Sequence, residues 1–210
     1  YSYKYVIFNI TSTLMDANAR CLKATIRNAF AEDNISGISD NIINKYIHLP
    51  RRECIRNIIY SPTYASIFKN RHKRIPTSND IEIINASFHR KIRSQPHYNI
   101  PFATNLTKLL HINGIKIGIS TSYNIDDTEY FINKFKCAGG YVDSFISADQ
   151  IKITRPEPWA GINLIKQLGY EPYKDAGLRI GTTIIDIQEG YNIGCDTFAI
   201  INTSANADIK

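Results

Sequence analysis

Polar residues that could bind or activate a ligand gather in four short runs. The first is Asn9-Ile10-Thr11-Ser12-Thr13-Leu14-Met15-Asp16, at the end of an apolar stretch. The second is Ser120-Thr121-Ser122-Tyr123, the third Thr154-Arg155-Pro156-Glu157-Pro158-Trp159, and the fourth Gly181-Thr182-Thr183-Ile184-Ile185-Asp186. Together they supply a carboxamide, hydroxyls, one guanidinium and a few carboxylates. Hydroxyls and a guanidinium hold anionic oxygens well. The same residues also serve a fold. Thr13 and Asp16 can cap the turn and helix after the first run. Asp186 can accept from loop backbone, and Arg155 can pair with Glu157 or Asp186.

Other candidates are weaker. His48, His72, His89, His97 and His111 show neither metal-ligand spacing nor an obvious triad partner, so surface or core roles are expected. Cys21, Cys54, Cys137 and Cys195 form no CxxC pair, which suits buried thiols in a reducing compartment. Trp159 is read as helix–sheet packing. Three basic clusters stand out: Arg51, Arg52 and Arg56; Lys69, Arg71, Lys73 and Arg74; and Arg90, Lys91 and Arg93. Tyr46, Tyr60, Tyr64 and His72 are interleaved and could stack on bases. No recognised RNA-binding module accompanies them.

The elements that must position these groups follow from periodicity. YKYVIFNI (3–10) is nearly continuous, apolar and β-branched, which predicts a buried parallel strand. From about Arg20 the pattern turns helical, and residues 41–94 hold several short helices broken at Pro50, Pro62 and Pro76. Ser78-Asn79-Asp80 reads as an N-cap cluster ahead of Ile81, Ile84, Phe88 and Ile92. Beyond Pro101 helices and strands alternate: strands at 115–120, 142–147, 178–181 and 196–201, helices near 103–112, 126–137, 158–168 and 184–192. That alternation predicts an α/β fold, a doubly wound, Rossmann-like parallel sheet. An all-helical segment interrupts it after the first strand. The expected division is a core of 1–16 plus 101–205, a helical cap at 17–100, and a tail at 206–210.

Charge follows this division. The net charge is +6, yet residues 17–100 carry 14 Lys and Arg against 6 Asp and Glu. Such asymmetry marks a polyanion-facing surface or a solvated helical face. No apolar run approaches the roughly 20 residues of a membrane-spanning helix.

The four runs, in this order, resemble the four motifs of the haloacid dehalogenase superfamily, and most nearly its phosphonoacetaldehyde hydrolase branch. FNITSTLMD resembles the first motif, KIGISTSYN the second, TRPEPW the branch-specific third with Arg in place of Lys, and GTTIIDIQEGYNIG the fourth. The resemblance implies a carboxylate nucleophile, bound Mg²⁺, a hydroxyl and a cation on the phosphoryl oxygens, and a cap lysine that forms an imine with the aldehyde substrate. Relative to that family the chain stops early, and either further residues or a trimmed periphery accounts for this.

Against that template the chemistry is depleted. Asn9 stands at the nucleophile, and a carboxamide is a feeble nucleophile and a weak Mg²⁺ ligand. Thr11 stands at the acid/base position, where this branch already has Ala. Ser12 replaces the glycine of the tight turn, so a differently shaped loop is expected. Thr182 stands at the metal-binding Asp. IHLPRRECIRNI (47–58) resembles the cap motif, and Arg51 falls at the imine lysine. Ser120 and Arg155 match the phosphate-holding pair, and Thr13, Asp16 and Asp186 also persist.

The leading expectation is therefore a catalytically inactive relative, a structural or interaction subunit of a larger assembly. Protein partners and RNA are its expected neighbours, as in an organellar ribosome, contacted through the basic cap. The expected compartment is intracellular, a mitochondrion or another organelle, and no cofactor is expected. The alternative is a weak or altered Mg²⁺-dependent phosphatase or phosphonatase-type hydrolase, or a phosphate sensor.

Overall fold

The structure, a computed structural model, describes residues 2–16, 19–47 and 49–201, so His48 and the tail at 206–210 lie outside it. Two compact units form, one of Tyr1–Asn18 with His97–Lys210 and one of Ala19–Pro96.

The first unit is built on a parallel five-stranded sheet. Strand β1 (Tyr5–Phe8) is fully buried, as its YVIF run requires, and is shorter than the expected 3–10. A two-residue strand β2 (Met15–Asp16) pairs antiparallel with β3 (Tyr98–Asn99), bracketing the segment between the two halves of this unit. Sequence periodicity misses this pair because two residues carry no period. Next come α6 (Ala103–Ile112), β4 (Lys116–Ser120), α7 (Ile125–Cys137), β5 (Ser144–Ile146), a 3-10 turn at Ala148–Gln150, α8 (Trp159–Gln167), β6 (Gly177–Gly181), α9 (Ile184–Asn192) and β7 (Asp196–Ala199).

Strand order is β5-β4-β1-β6-β7. Chain order therefore runs outward from β1 in both directions, which makes β1 the topological switch point. A crevice opens at the carboxyl ends of strands at such a point. The register is tight: Phe8 pairs with Ile119 on one side and Ile180 on the other. Asn9, Ser120 and Gly181 thus follow side by side at the same edge. Helix α8 packs Leu164, Ile165 and Leu168 on this sheet with Tyr5, Ile7 and Ile146. Trp159, expected in that packing, is instead 51% exposed because it is the first residue of α8.

The second unit is helical: α1 (Ala19–Glu32), α2 (Asp40–Tyr46), α3 (Arg51–Ile59), α4 (Pro62–His72) and α5 (Ser78–Ser94). Its apolar faces bury Ile26, Phe30, Ile55, Ile58, Phe68, Ile84, Phe88 and Ile92. The cap of α5 is Thr77, one residue before the expected cluster. Asp80 accepts from the Thr77 amide and hydroxyl at 2.7 Å each and from both Arg74 terminal nitrogens at 2.6 Å. No described helix is long and apolar enough to cross a membrane.

Candidate active site at the carboxyl edge of the sheet

The loop after β1 is a tight turn. Ser12 donates its amide to Met15 O at 2.7 Å, and Leu14 and Met15 donate theirs to Ile10 O at 3.1 and 2.9 Å. Ser12 takes φ 63°, the left-handed conformation. The loop thus keeps a turn suited to glycine, and Ser12 bears the steric cost. Thr11, Ser12 and Thr13 are all buried.

Asp186 ends the first turn of α9 and is fully buried. Its Oδ2 accepts from the Thr182 and Thr183 amides at 3.0 Å each and from the Thr183 hydroxyl at 2.9 Å. Its Oδ1 accepts from Arg155 Nη1 at 2.8 Å and Arg179 Nη2 at 2.7 Å. Burial alone would raise its pKa. Arg179 and Arg155, with the Thr183 and Thr182 donors, outweigh that and hold it below the usual carboxylate value. The motif glycine is explained by this packing: a Cβ at Gly181 would lie 2.2 Å from that of Asp186.

Two participants were not anticipated from sequence. Arg179 sits mid-strand in β6, and its side chain is fully buried. Its Nε donates to Glu189 Oε2 at 2.9 Å. Its Nη1 donates to Ile180 O and Ile7 O, and its Nη2 to Ser120 O and Asp186. Glu189, one turn beyond Asp186 on α9, also accepts the Ser120 hydroxyl at 2.6 Å. Ser120, the residue matched to phosphate holding, therefore spends its proton inside this cluster. Arg155 Nη2 donates to Ser122 Oγ, and its Nη1 lies 3.5 Å from Glu189 Oε2. Its partner is Asp186; of the two carboxylates weighed from sequence, Glu157 is not the one. Burial works against the Arg155 charge, but Glu189 and Asp186 hold its pKa above the ordinary value.

Three atoms here are buried without a hydrogen-bond partner: Asn9 Oδ1, Thr13 Oγ1 and Arg155 Nε. Buried polar groups are rarely left so unless a ligand or water takes them. Asp16 stays apart, exposed on β2.

A family model, haloacid dehalogenase-like hydrolase, matches residues 6–200. The chain belongs to that family. Phosphonoacetaldehyde hydrolase of Bacillus cereus (strain AH187) is 24% identical over 208 residues, covering 98% of this chain and 78% of the relative. The crystal structure of a phosphonoacetaldehyde hydrolase-like protein from Oleispira antarctica superposes with TM-score 0.83 at 18% identity, covering 97% and 74% of the two chains. The crystal structure of a predicted phosphoglycolate phosphatase from Haemophilus somnus gives 0.75 at 14% identity, covering 94% and 84%.

These relatives correct the functional expectation. They are hydrolases, and nothing in them points to an inactive subunit of a ribonucleoprotein. The basic cap residues are also mostly occupied. Arg51 is buried over the Phe88 ring, 4.7 Å from its centroid, although its Nε and Nη1 have no hydrogen-bond partner. Arg52 pairs with Glu82 and Glu53, Arg56 with Glu53, Arg74 with Asp80, and Arg90 and Lys91 with Glu32. Arg71 bonds Asn34, and Arg93 also makes an interaction. Lys69 and Lys73 are exposed at the end of α4.

The Mg²⁺ that the family implies does not fit the groups present. Magnesium wants several hard, charged oxygens. Asn9 offers a neutral carbonyl and Thr182 a hydroxyl, while both oxygens of Asp186 are saturated by five donors. Among the described residues no group of three His, Cys, Asp or Glu is placed to hold a metal ion.

Proposed function

We propose that this carboxyl edge is a hydrolase site of altered chemistry, which binds a phosphate monoester and passes its phosphoryl group directly to water. The observation that carries the reading is the trio of buried, unpartnered polar atoms, Asn9 Oδ1, Thr13 Oγ1 and Arg155 Nε. Arg155 Nε and the Thr13 hydroxyl are donors suited to phosphoryl oxygens. Asn9 Oδ1 is an acceptor suited to a water.

A carboxamide does not attack phosphorus, so no aspartyl phosphate forms. Instead Asn9 Oδ1 accepts a hydrogen bond from the attacking water and orients it. A bond forms between the water oxygen and phosphorus, and the bond from phosphorus to the leaving alcohol breaks. The water's proton passes through a phosphoryl oxygen to the departing alkoxide. With no general base in this scheme, turnover is slow.

Arg51 argues against a phosphonate substrate. The resemblance puts it at the position of an imine-forming lysine, and a guanidinium stays protonated and forms no imine. Cleavage of the carbon–phosphorus bond of phosphonoacetaldehyde relies on that imine, so phosphate esters are the substrates supported here.

The test is a comparison of small phosphate monoesters with phosphonoacetaldehyde, reading inorganic phosphate, and acetaldehyde for the phosphonate. Phosphate release from at least one monoester, with no acetaldehyde and no adduct after borohydride, is the expected result. Acetaldehyde release with a borohydride-trapped adduct would overturn the assignment.

A further inference from the structure

We propose that phosphate binding at this edge needs no divalent cation, because in the charge-balanced Arg155–Arg179–Asp186–Glu189 cluster Arg179 offsets the carboxylates and leaves the Arg155 guanidinium to meet the anion. The inference rests on the phosphoryl-site reading above.

Charge carries the first part of the case. The family pattern has carboxylates at the positions of Asn9 and Thr182, and a doubly charged cation answers them. Both carboxylates are absent here. Removing two negative charges together with one divalent cation leaves the local sum unchanged. What remains is two guanidinium groups against two carboxylates, all buried.

Geometry carries the second part. Arg179 makes five hydrogen bonds, to Glu189, Ile7 O, Ile180 O, Ser120 O and Asp186. These tie β1, β4 and β6 to α9 at the edge where Asn9 lies. Every donor of Arg179 is used, so it touches no ligand and acts as a positioning residue. Without it, Asp186 and Glu189 would over-neutralise Arg155 and the edge would carry net negative charge, which repels phosphate. With it, Arg155 keeps an effective positive charge, and its Nε has no protein partner. A guanidinium cannot be deprotonated at ordinary pH and cannot be removed by a chelator.

Room for this arrangement is built into α9. A Cβ at Gly190 would lie 2.7 Å from Arg179 Cβ and 2.4 Å from Thr197 Cγ2. The glycine is what lets the arginine lie beneath the helix.

The experiment is calorimetric titration of the wild-type protein with inorganic phosphate, once in EDTA and once in Mg²⁺. The expected result is the same affinity within about twofold in the two buffers. Glu189→Gln, which keeps the shape and removes one negative charge, should tighten phosphate about tenfold in EDTA and steepen its salt dependence. Binding that appears only with Mg²⁺ would overturn this inference and leave the phosphoryl site standing. Binding in neither buffer would overturn both. Unchanged affinity in Glu189→Gln would remove the electrostatic explanation.

Discussion

Ser120 donates its only hydroxyl proton to Glu189 Oε1 at 2.6 Å, and both residues are fully buried. The bond joins the end of β4 to the middle of α9. It leaves the hydroxyl facing any ligand as an acceptor only, so Ser120 organises the site and does not grip phosphate. Ser120→Ala should cost about 1–3 kcal/mol, the penalty for leaving a buried carboxylate oxygen short of a donor. Urea denaturation reads this. Phosphate affinity should fall less than in Arg155→Ala; the opposite order would make Ser120 a direct ligand of the anion.

Arg179 commits all five of its donors inside the core unit. Arg179→Met removes the donors to Glu189 and Asp186 and leaves buried carboxylates under-compensated. Loss of one partner from a buried ion cluster costs about 3–5 kcal/mol. A melting-temperature drop of many degrees, with near-normal circular dichroism below the transition, is expected. A drop of only a degree or two would mean that solvent reaches the cluster.

Acid should unfold this protein through two carboxylates. Arg74 and the Thr77 donors hold Asp80 far below its ordinary pKa despite its burial, and Asp186 is also depressed. A depressed folded-state pKa contributes stability that is complete above the unfolded value, about 3.9 for Asp. That contribution is lost as pH falls through the folded value. Urea midpoints should therefore be flat with respect to these groups from pH 8 to about 5 and fall below about pH 4. Asp80→Asn should shrink that acid slope and lower stability at neutral pH. A slope unchanged by the substitution would sever the link to Asp80.

Glycine in mid-helix usually yields stability when replaced by alanine, by roughly 0.5–1 kcal/mol. Gly190 in α9 should reverse that sign. Its new methyl would meet Arg179 and Thr197, and overpacking of this kind costs about 1–3 kcal/mol. Chemical denaturation of Gly190→Ala decides it, and a stabilised variant would show that α9 has slack over Arg179.

The alternating strands and helices of the core were legible because each is long enough to show a period, and the β1 run is apolar throughout. The motif residues were legible because they sit just past those strands. Arg179 and Glu189 escaped notice, although each left a signal. A charged residue inside the buried GLRIG strand demands a partner. An acid three residues after Asp186 on α9 shares its helix face and supplies one. The Ser12 turn shows its conformation only in the structure: serine takes the left-handed region at a cost, so residue type alone does not fix the backbone there. The basic cap read as a polyanion surface because sequence gives charge without pairing, and Glu32, Glu53, Asp80 and Glu82 pair with much of it.

The most direct test of the phosphoryl-site assignment is release of inorganic phosphate from para-nitrophenyl phosphate in Mg²⁺ buffer by the wild-type protein and by Arg155→Ala. Slow release above the buffer blank, lowered at least about tenfold in the variant, is the predicted result. No release, or release that Arg155→Ala leaves untouched, would contradict it.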